Sequence, residues 1–370
     1  MKEEPSPPKV WALLGGKRGD NAQIERLTEL LGWPTKYFQL RYNAFAYSRN
    51  VFLGASLASL RRAKPELGPP WPDIVVGIGQ RSVPVARWIQ QQSGGRSRLV
   101  HMGRPQAPLS WFDHVITTPQ YRLPKRGNVT ELPLPLSPVT RPRLAEAGKV
   151  WGSWLEALPR PRLAVIVGGP SRTVKLGIKE AERVLRTAQE YQRAQGGSLL
   201  VATSPRTPRE VAEILERGLP AASFIYRYDR PGIGGNPYLG LLAHSCAAMI
   251  TQDSVSTLAD TLNAGLATRV IELPERWTER WTAFWKLPLV RRMTASIDGV
   301  GIIPVAPDLR ALRDDLFRRG MAHPARGGFE VQPGEQQETA IHQAAAAVRA
   351  LAPQPAARES SAAGGAGSAS

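Results

Sequence analysis

The chain has 370 residues, more than one ordinary hydrophobic core accommodates, so two domains are expected. Hydrophobic residues make up 42% of it and charged residues 21%, a balance that excludes a wholly disordered or fibrous protein. The net charge of +17 favours anionic partners, and the single cysteine, Cys246, excludes an internal disulfide and any zinc site built on paired thiolates. No apolar stretch approaches the roughly 20 residues that span a bilayer, and residues 1–8 carry no apolar signal core. A cytoplasmic protein is therefore expected, with residues 1–8 and 353–370 disordered for want of apolar content.

Short apolar runs alternate with amphipathic segments along the chain. Val10–Leu14 reads as a strand and is followed by the turn Gly15-Gly16-Lys17-Arg18-Gly19. A helix is expected from Asp20, a good N-cap, through Ile24, Leu27 and Leu31, with Gly32 and Pro34 ending it. Further strands are expected at residues 36–40, 73–78, 98–102, 114–118 and 128–132, with a helix at 82–92. A proline- and arginine-rich stretch at 133–143 and a short helix holding Trp151 and Trp154 come next. The domain junction is placed near residue 155. The second half repeats the pattern: strands at 163–167, 199–203, 223–226, 248–251 and 269–272, and helices at 174–195, 208–217, 238–244 and 254–264. Residues 275–293 read as a helix with Trp277, Trp281 and Trp285 on one face, and 308–319 and 338–351 as further helices. This alternation predicts parallel sheets covered by helices: an N-terminal Rossmann-like domain over 9–155, a C-terminal one over 156–335 and a terminal helix at 336–352.

Ligands of such sheets bind beyond the carboxyl ends of the strands. In the second half that edge carries Gly168-Gly169-Pro170-Ser171-Arg172, where glycines, an expected helix N-terminus and a cation suit a diphosphate. It also carries Ser204-Pro205-Arg206-Thr207 and the glycine loop ending Asn236-Pro237-Tyr238. Thr251-Gln252-Asp253-Ser254-Val255-Ser256 follows another strand, with Asp260 one helical turn beyond Ser256. A cap accounts for Asp253 or Ser254 alone, and a ribose or phosphate would use the remaining groups. In the first half Lys17, Arg18, Asp20, Asn21 and Gln23 follow the first strand, and Gln80 and Arg81 follow another. Asp20 reads either as an N-cap or as a general base. The five histidines are scattered, no Asp-x-Asp pair is present, and no metal is expected. No motif of the common nucleic-acid modules appears, so the positive charge points to phosphorylated ligands or an anionic membrane. The Trp277/Trp281/Trp285 face, followed by Arg291 and Arg292, reads either as buried packing or as a membrane contact.

Several of these motifs, in this order, resemble the plant mitochondrial fission factor family with its bacterial glycosyltransferase-like homologues. The matching residues are Gly19-Asp20-Asn21-Ala22-Gln23, Pro72-Asp73 with Gly77-Ile78-Gly79, Asp113, Asn128-Val129 and Gly168-Gly169-Pro170-Ser171. Ser204 with Arg206-Thr207-Pro208, Asn236-Pro237-Tyr238 and Asp253-Ser254-Val255-Ser256 complete the set, so that the resemblance covers about residues 9–305. It implies a GT-B-like fold, two Rossmann-like domains facing each other across a cleft, with the donor in the C-terminal half and the acceptor in the N-terminal half. By that analogy Gly169, Ser171 and Arg172 meet a donor diphosphate, Ser254 and Ser256 line the same pocket, and Asp260 takes the ribose. Asp260 stands where the family usually has Glu, and Pro119-Gln120-Tyr121-Arg122 stands where it usually has a His-Asp pair.

The expected function is a metal-independent glycosyltransferase, using a nucleotide-sugar as substrate and no cofactor. Its expected acceptor is a lipid or envelope glycan at the inner membrane face, where the protein would be peripheral. Asp20 is the catalytic candidate. Gly168, Gly169, Ser171, Arg172, Ser204, Arg206, Asn236, Tyr238, Asp253, Ser254, Ser256 and Asp260 are the donor-side residues. Lys17, Arg18, Asn21, Gln23, Gln80 and Arg81 are the acceptor-side residues. The alternatives are a non-catalytic membrane-associated scaffold and a nucleotide-sugar epimerase.

Overall fold

The computed structural model describes residues 6–61, 66–171, 174–230, 232, 234–274, 276, 307–325 and 335–352. The chain divides into two compact units, each built on its own six-stranded parallel sheet.

In the first unit the sheet order is β2-β1-β3-β4-β5-β6. The strands are β1 (Val10–Leu14), β2 (Thr35–Gln39), β3 (Ile74–Ile78), β4 (Arg98–Met102), β5 (His114–Thr117) and β6 (Val129–Glu131). Helices α1 (Arg18–Leu31), α2 (Asn50–Leu53) and α3 (Val83–Gln92) connect them. The inner strands are continuous apolar runs because both faces are covered, as parallel sheets require. Ile74, Val75 and Val76 are fully buried, each contributing on the order of 2 kcal/mol of apolar burial. Helix α1 stops at Gly32, whose φ of 68° suits glycine and whose N–H bonds the Thr28 carbonyl.

The second unit starts at Pro133. It contains α4 (Arg141–Leu155), β7 (Arg162–Val167), α5 (Ile178–Gln195), β8 (Ser198–Thr203), α6 (Arg209–Gly218) and β9 (Ser223–Tyr226). Then follow α7 (Tyr238–Ala243), β10 (Ala247–Thr251), α8 (Val255–Asn263), β11 (Ala267–Ile271), α9 (Leu309–Arg318) and β12 (His323–Pro324). The sheet order is β12-β11-β10-β7-β8-β9, the Rossmann order counted within the unit. Strand alternation splits its core in two. Leu163, Val165 and Val167 pack on one face with α5, and Ala164 and Ile166 pack on the other with Trp151, Leu241 and Leu258. Helix α10 (Glu335–Arg349) follows, and from Thr339 onward the chain belongs with the first unit, where the Arg349 guanidinium donates to the Leu30 carbonyl.

Two α/β Rossmann-like units are therefore present, as expected. The boundary between them falls after Leu132 rather than near residue 155. Helix α4 packs on α7: a Cβ on Gly240 would lie 2.6 Å from Trp151. The proline-rich stretch ahead of it contributes to the core, since Leu134 and Leu136 are buried, as is Leu132 before it. The Trp277/Trp281/Trp285 face and Arg291 and Arg292 lie outside the described residues. No described helix is long and apolar enough to cross a membrane.

Candidate functional site

In the second sheet β7 and β10 are neighbours. The chain leaves β7 toward β8 on one side and leaves β10 toward β11 on the other. That reversal opens a crevice at the carboxyl ends of β7 and β10, where doubly wound sheets bind ligands. Gly168 and Gly169 follow β7, Ser204–Thr207 follow β8, and Thr251 ends β10 with residues 252–256 after it.

Asp253 ties these three turns together. Its side chain is wholly buried, and its Oδ2 accepts from Gly169 N at 3.0 Å and from Arg206 Nη2 at 2.7 Å. Gly168 N donates to Thr251 Oγ1 at 2.8 Å, and Arg206 Nη1 reaches the Gly169 carbonyl at 3.4 Å. Both glycines are required by space. A Cβ on Gly168 would lie 2.1 Å from Asp253 Oδ2, and one on Gly169 would lie 2.2 Å from the Arg206 carbonyl. Arg206 leaves 46% of its side chain exposed, so a cation is pinned at the crevice with donors to spare. Thr207 braces the turn: its Oγ1 accepts from Ser204 N at 2.8 Å and donates back to the β7 end at the Val167 carbonyl, 3.0 Å away.

The other donor-side candidates divide. Ser254 is the N-cap of α8, its Oγ accepting from Thr257 N at 3.3 Å and standing 2.7 Å from Thr257 Oγ1. Asp253 is not a cap. Ser256 is exposed, 3.4 Å from Ser254 Oγ. Asn236 is exposed and, ahead of the α7 N-cap Pro237, accepts from Tyr238 N at 3.0 Å. Ser171 closes a turn with Val174, accepting from Val174 N at 3.2 Å. The helix expected from residue 174 begins only at Ile178. Gly177 N at its start donates to Glu180 Oε2, so a carboxylate already occupies that terminus. The helix N-terminus at the crevice is that of α8 instead, two residues after Asp253. Arg172 lies outside the described residues.

Asp260, on α8, is half-buried, with Oδ1 accepting from Ser137 Oγ at 2.6 Å and Oδ2 from the Tyr238 hydroxyl at 3.0 Å. Desolvation pushes its carboxyl up to about 6, against the lowering effect of those two hydrogen bonds. Burial, then the neighbouring carboxylate, raises the Tyr238 phenol in turn. Ser137 had no sequence signal, because it sits in the proline-rich stretch far from Asp260 in the chain.

In the first sheet the direction of travel reverses between β1 and β3. The N-cap of α1 is Lys17 and not Asp20, and Lys17 makes no side-chain cap bond. Asp20 sits in the first turn, half-buried, 3.9 Å from Lys17 Nζ. Its carboxyl is raised by burial, partly opposed by Lys17 and Arg81. Asn21 braces the turn, accepting from Gly15 N at 2.9 Å and donating to the Gly15 carbonyl at 3.0 Å. Gln23 reaches the Gly19 carbonyl at 3.4 Å. Gln80 donates to the Ser48 carbonyl at 3.0 Å, and Arg81 stacks on Tyr42 with 4.8 Å from guanidinium to ring centre. Lys17 and Arg18 are exposed. The segment Pro119–Tyr121, where the resemblance leads one to expect a His-Asp pair, brings in Tyr121. Burial raises its phenol, and the charge of Asp20 adds to that rise, placing the two within electrostatic reach. Among the described residues no three of His, Cys, Asp and Glu converge as metal ligands.

The family model described as Mitochondrial fission ELM1 matches residues 18–299, well over half of the chain. The chain belongs to the Mitochondrial fission ELM1 family. A curated ELM1-family relative, the mitochondrial fission protein ELM1 of Arabidopsis thaliana, is 25% identical over 222 residues, 54% of this chain and 51% of that protein. The chain thus spans about half the length of that relative. An uncharacterized protein of Rickettsia prowazekii is 21% identical over 287 residues, 69% of this chain and 81% of that one. Among solved structures, the UDP-GlcNAc 2-epimerase of Methanocaldococcus jannaschii aligns with TM-score 0.45 at 12% identity, covering 90% of this chain and 99% of that one. Arabidopsis thaliana UGT89C1 complexed with UDP aligns with TM-score 0.42 at 10% identity, covering 92% and 99%. For this ELM1-family chain the fold rests on its own strand order.

Proposed function

We propose that this ELM1-family chain binds a nucleotide-activated sugar at the β7/β10 crevice and transfers the sugar to a lipid or envelope-glycan acceptor. The observation that carries the reading is Arg206, held by buried Asp253 beside two glycines whose missing side chains let Asp253 and the Arg206 backbone pack close. A departing nucleoside diphosphate needs positive charge as the glycosidic bond breaks. Arg206 and the N-terminus of α8 supply it in place of a metal ion. Ser256 and the Asp260–Tyr238 pair offer hydroxyl and carboxylate partners for a ribose. Asp20, unused as a cap and with its carboxyl raised by burial, is the base that takes the proton of the acceptor hydroxyl. The acceptor oxygen then bonds the anomeric carbon, and the diphosphate leaves with the electrons of the broken C–O bond. The protein works in the cytoplasm, peripheral to the inner membrane face.

Incubation with a panel of nucleotide sugars and an envelope lipid extract tests this reading. Nucleoside diphosphate and a glycosylated acceptor should form together, and Asp20→Asn should abolish both while donor binding persists. An isomeric nucleotide sugar with no diphosphate released would make the protein an epimerase instead. Membership of a fission-protein family favours one other reading, a non-catalytic membrane-associated scaffold, which predicts no nucleotide affinity at all.

A further inference from the structure

We infer that residues 41–61 of the first unit form a docking surface for an anionic lipid bilayer. Phe45, Tyr47 and Phe52 present most of their rings to solvent, at 65%, 77% and 84% exposure. Large aromatics are seldom left so bare in one short segment without a partner. Their backbone is held in place. Asn43 Nδ2 donates to the Ala58 and Leu60 carbonyls at 2.8 and 2.9 Å, and its Oδ1 accepts from Phe45 N at 2.9 Å. Asn50, 1% exposed, donates to the Pro105 and Gln80 carbonyls at 2.8 and 3.0 Å. Ala46 is buried between Phe45 and Tyr47. The segment is therefore a clamped platform with aromatic rings facing outward.

Its charge selects the occupant. No Asp or Glu occurs anywhere from residue 30 to residue 65, whereas Lys36, Arg41, Arg49, Arg61, Arg62 and Lys64 all fall within that span. Arg41 and Arg61 are exposed and Arg49 is partly so, and none pairs with a carboxylate among the described residues. Bare aromatics in a cationic field match the boundary between acyl chains and anionic headgroups, where rings insert and guanidinium groups meet phosphates. No motif of the common nucleic-acid modules accompanies these rings, and a second copy of this face would bring like charges together. The same segment is bolted to the β3 turn through Gln80, which donates to the Ser48 carbonyl, and Arg81 stacks on Tyr42. A bilayer bound here lies against the edge that carries Arg81. The inference goes beyond sugar transfer and holds whether or not transfer occurs.

The test is co-sedimentation of the full chain with phosphatidylcholine vesicles, with and without phosphatidylserine. Binding is expected only with the anionic lipid and should weaken as salt rises. Phe45→Ser/Tyr47→Ser/Phe52→Ser should reduce it by about tenfold or more, as should Arg41→Gln/Arg49→Gln. Trp154→Ser, at an exposed ring of the second unit, should leave it unchanged. Circular dichroism confirms that the surface variants fold. Equal binding by the aromatic variant and the parent overturns the proposal, as does failure of the parent to bind. Loss in the aromatic variant of RNA binding or self-association, with vesicle binding unaffected, overturns it in favour of those partners.

Discussion

Gly168→Ala tests whether the crevice is built around Asp253. The new Cβ would stand 2.1 Å from Asp253 Oδ2 and 2.4 Å from Oδ1, whereas ordinary contact begins at 3.4 Å. The carboxylate must retreat by about an ångström, and both of its bonds, to Gly169 N at 3.0 Å and to Arg206 at 2.7 Å, are lost or stretched. A hydrogen bond to a charged group contributes roughly 1.5–3 kcal/mol, and a buried carboxylate left unpaired costs more. Arg206 is half-exposed, which lowers its share, so a total near the lower end, about 3 kcal/mol, is expected. For a unit of this size that corresponds to a Tm drop of about 6–12 °C. Thermal and urea unfolding measure it, with Gly16→Ala, where a Cβ meets nothing within 4 Å, as the control. A Gly168→Ala protein within about 0.5 kcal/mol of that control would refute the packing argument.

Asp20→Ala should leave stability within about 0.5 kcal/mol of the parent at pH 7, since Lys17 occupies the cap position; a loss of 1 kcal/mol or more in urea unfolding would restore Asp20 to a capping role. Asp260 has a folded pKa, about 6, above its unfolded value of about 4. The stability it contributes is complete below about pH 4 and is lost as pH rises through 6, so Asp260→Asn should flatten the fall in stability between pH 4 and 7; an identical pH profile would contradict the assignment. Gly240→Ala should cost about 1–3 kcal/mol by driving a methyl into Trp151, and a neutral result would mean that α4 is not seated on α7.

Much of the architecture was legible in the residues. β1, β4 and β9 fall where the apolar runs at 10–14, 98–102 and 223–226 place them, and most other strands differ only by a residue at one end. Buried parallel strands announce themselves as unbroken β-branched runs. β12, two residues long, carries no such pattern. In the proline-rich stretch the alternating Leu132, Leu134 and Leu136 were the core signal. The start of α5 at Ile178 is marked by Gly177 N donating to Glu180 Oε2, one half of a capping box whose Ser or Thr half the sequence lacks. In the site, the motif residues Gly168, Gly169, Arg206 and Asp253 do meet. Sequence could not tell that Asp253 clamps the turns while Ser254 caps the helix, because that choice depends on Arg206 arriving from another strand. Ser137 and Tyr121 likewise reach their partners only through the fold. The membrane expectation rested on the net positive charge and on a tryptophan face that lies outside the described residues.

The most direct test of the central claim is the thermal shift of the purified full chain against nucleoside diphosphates and nucleotide sugars, run beside Arg206→Gln. One nucleotide class should raise the Tm of the parent, and Arg206→Gln should weaken that effect by at least about tenfold in ligand concentration. A well-folded parent that no nucleotide stabilises, or an Arg206→Gln variant stabilised as strongly as the parent, would contradict a donor site at the β7/β10 crevice.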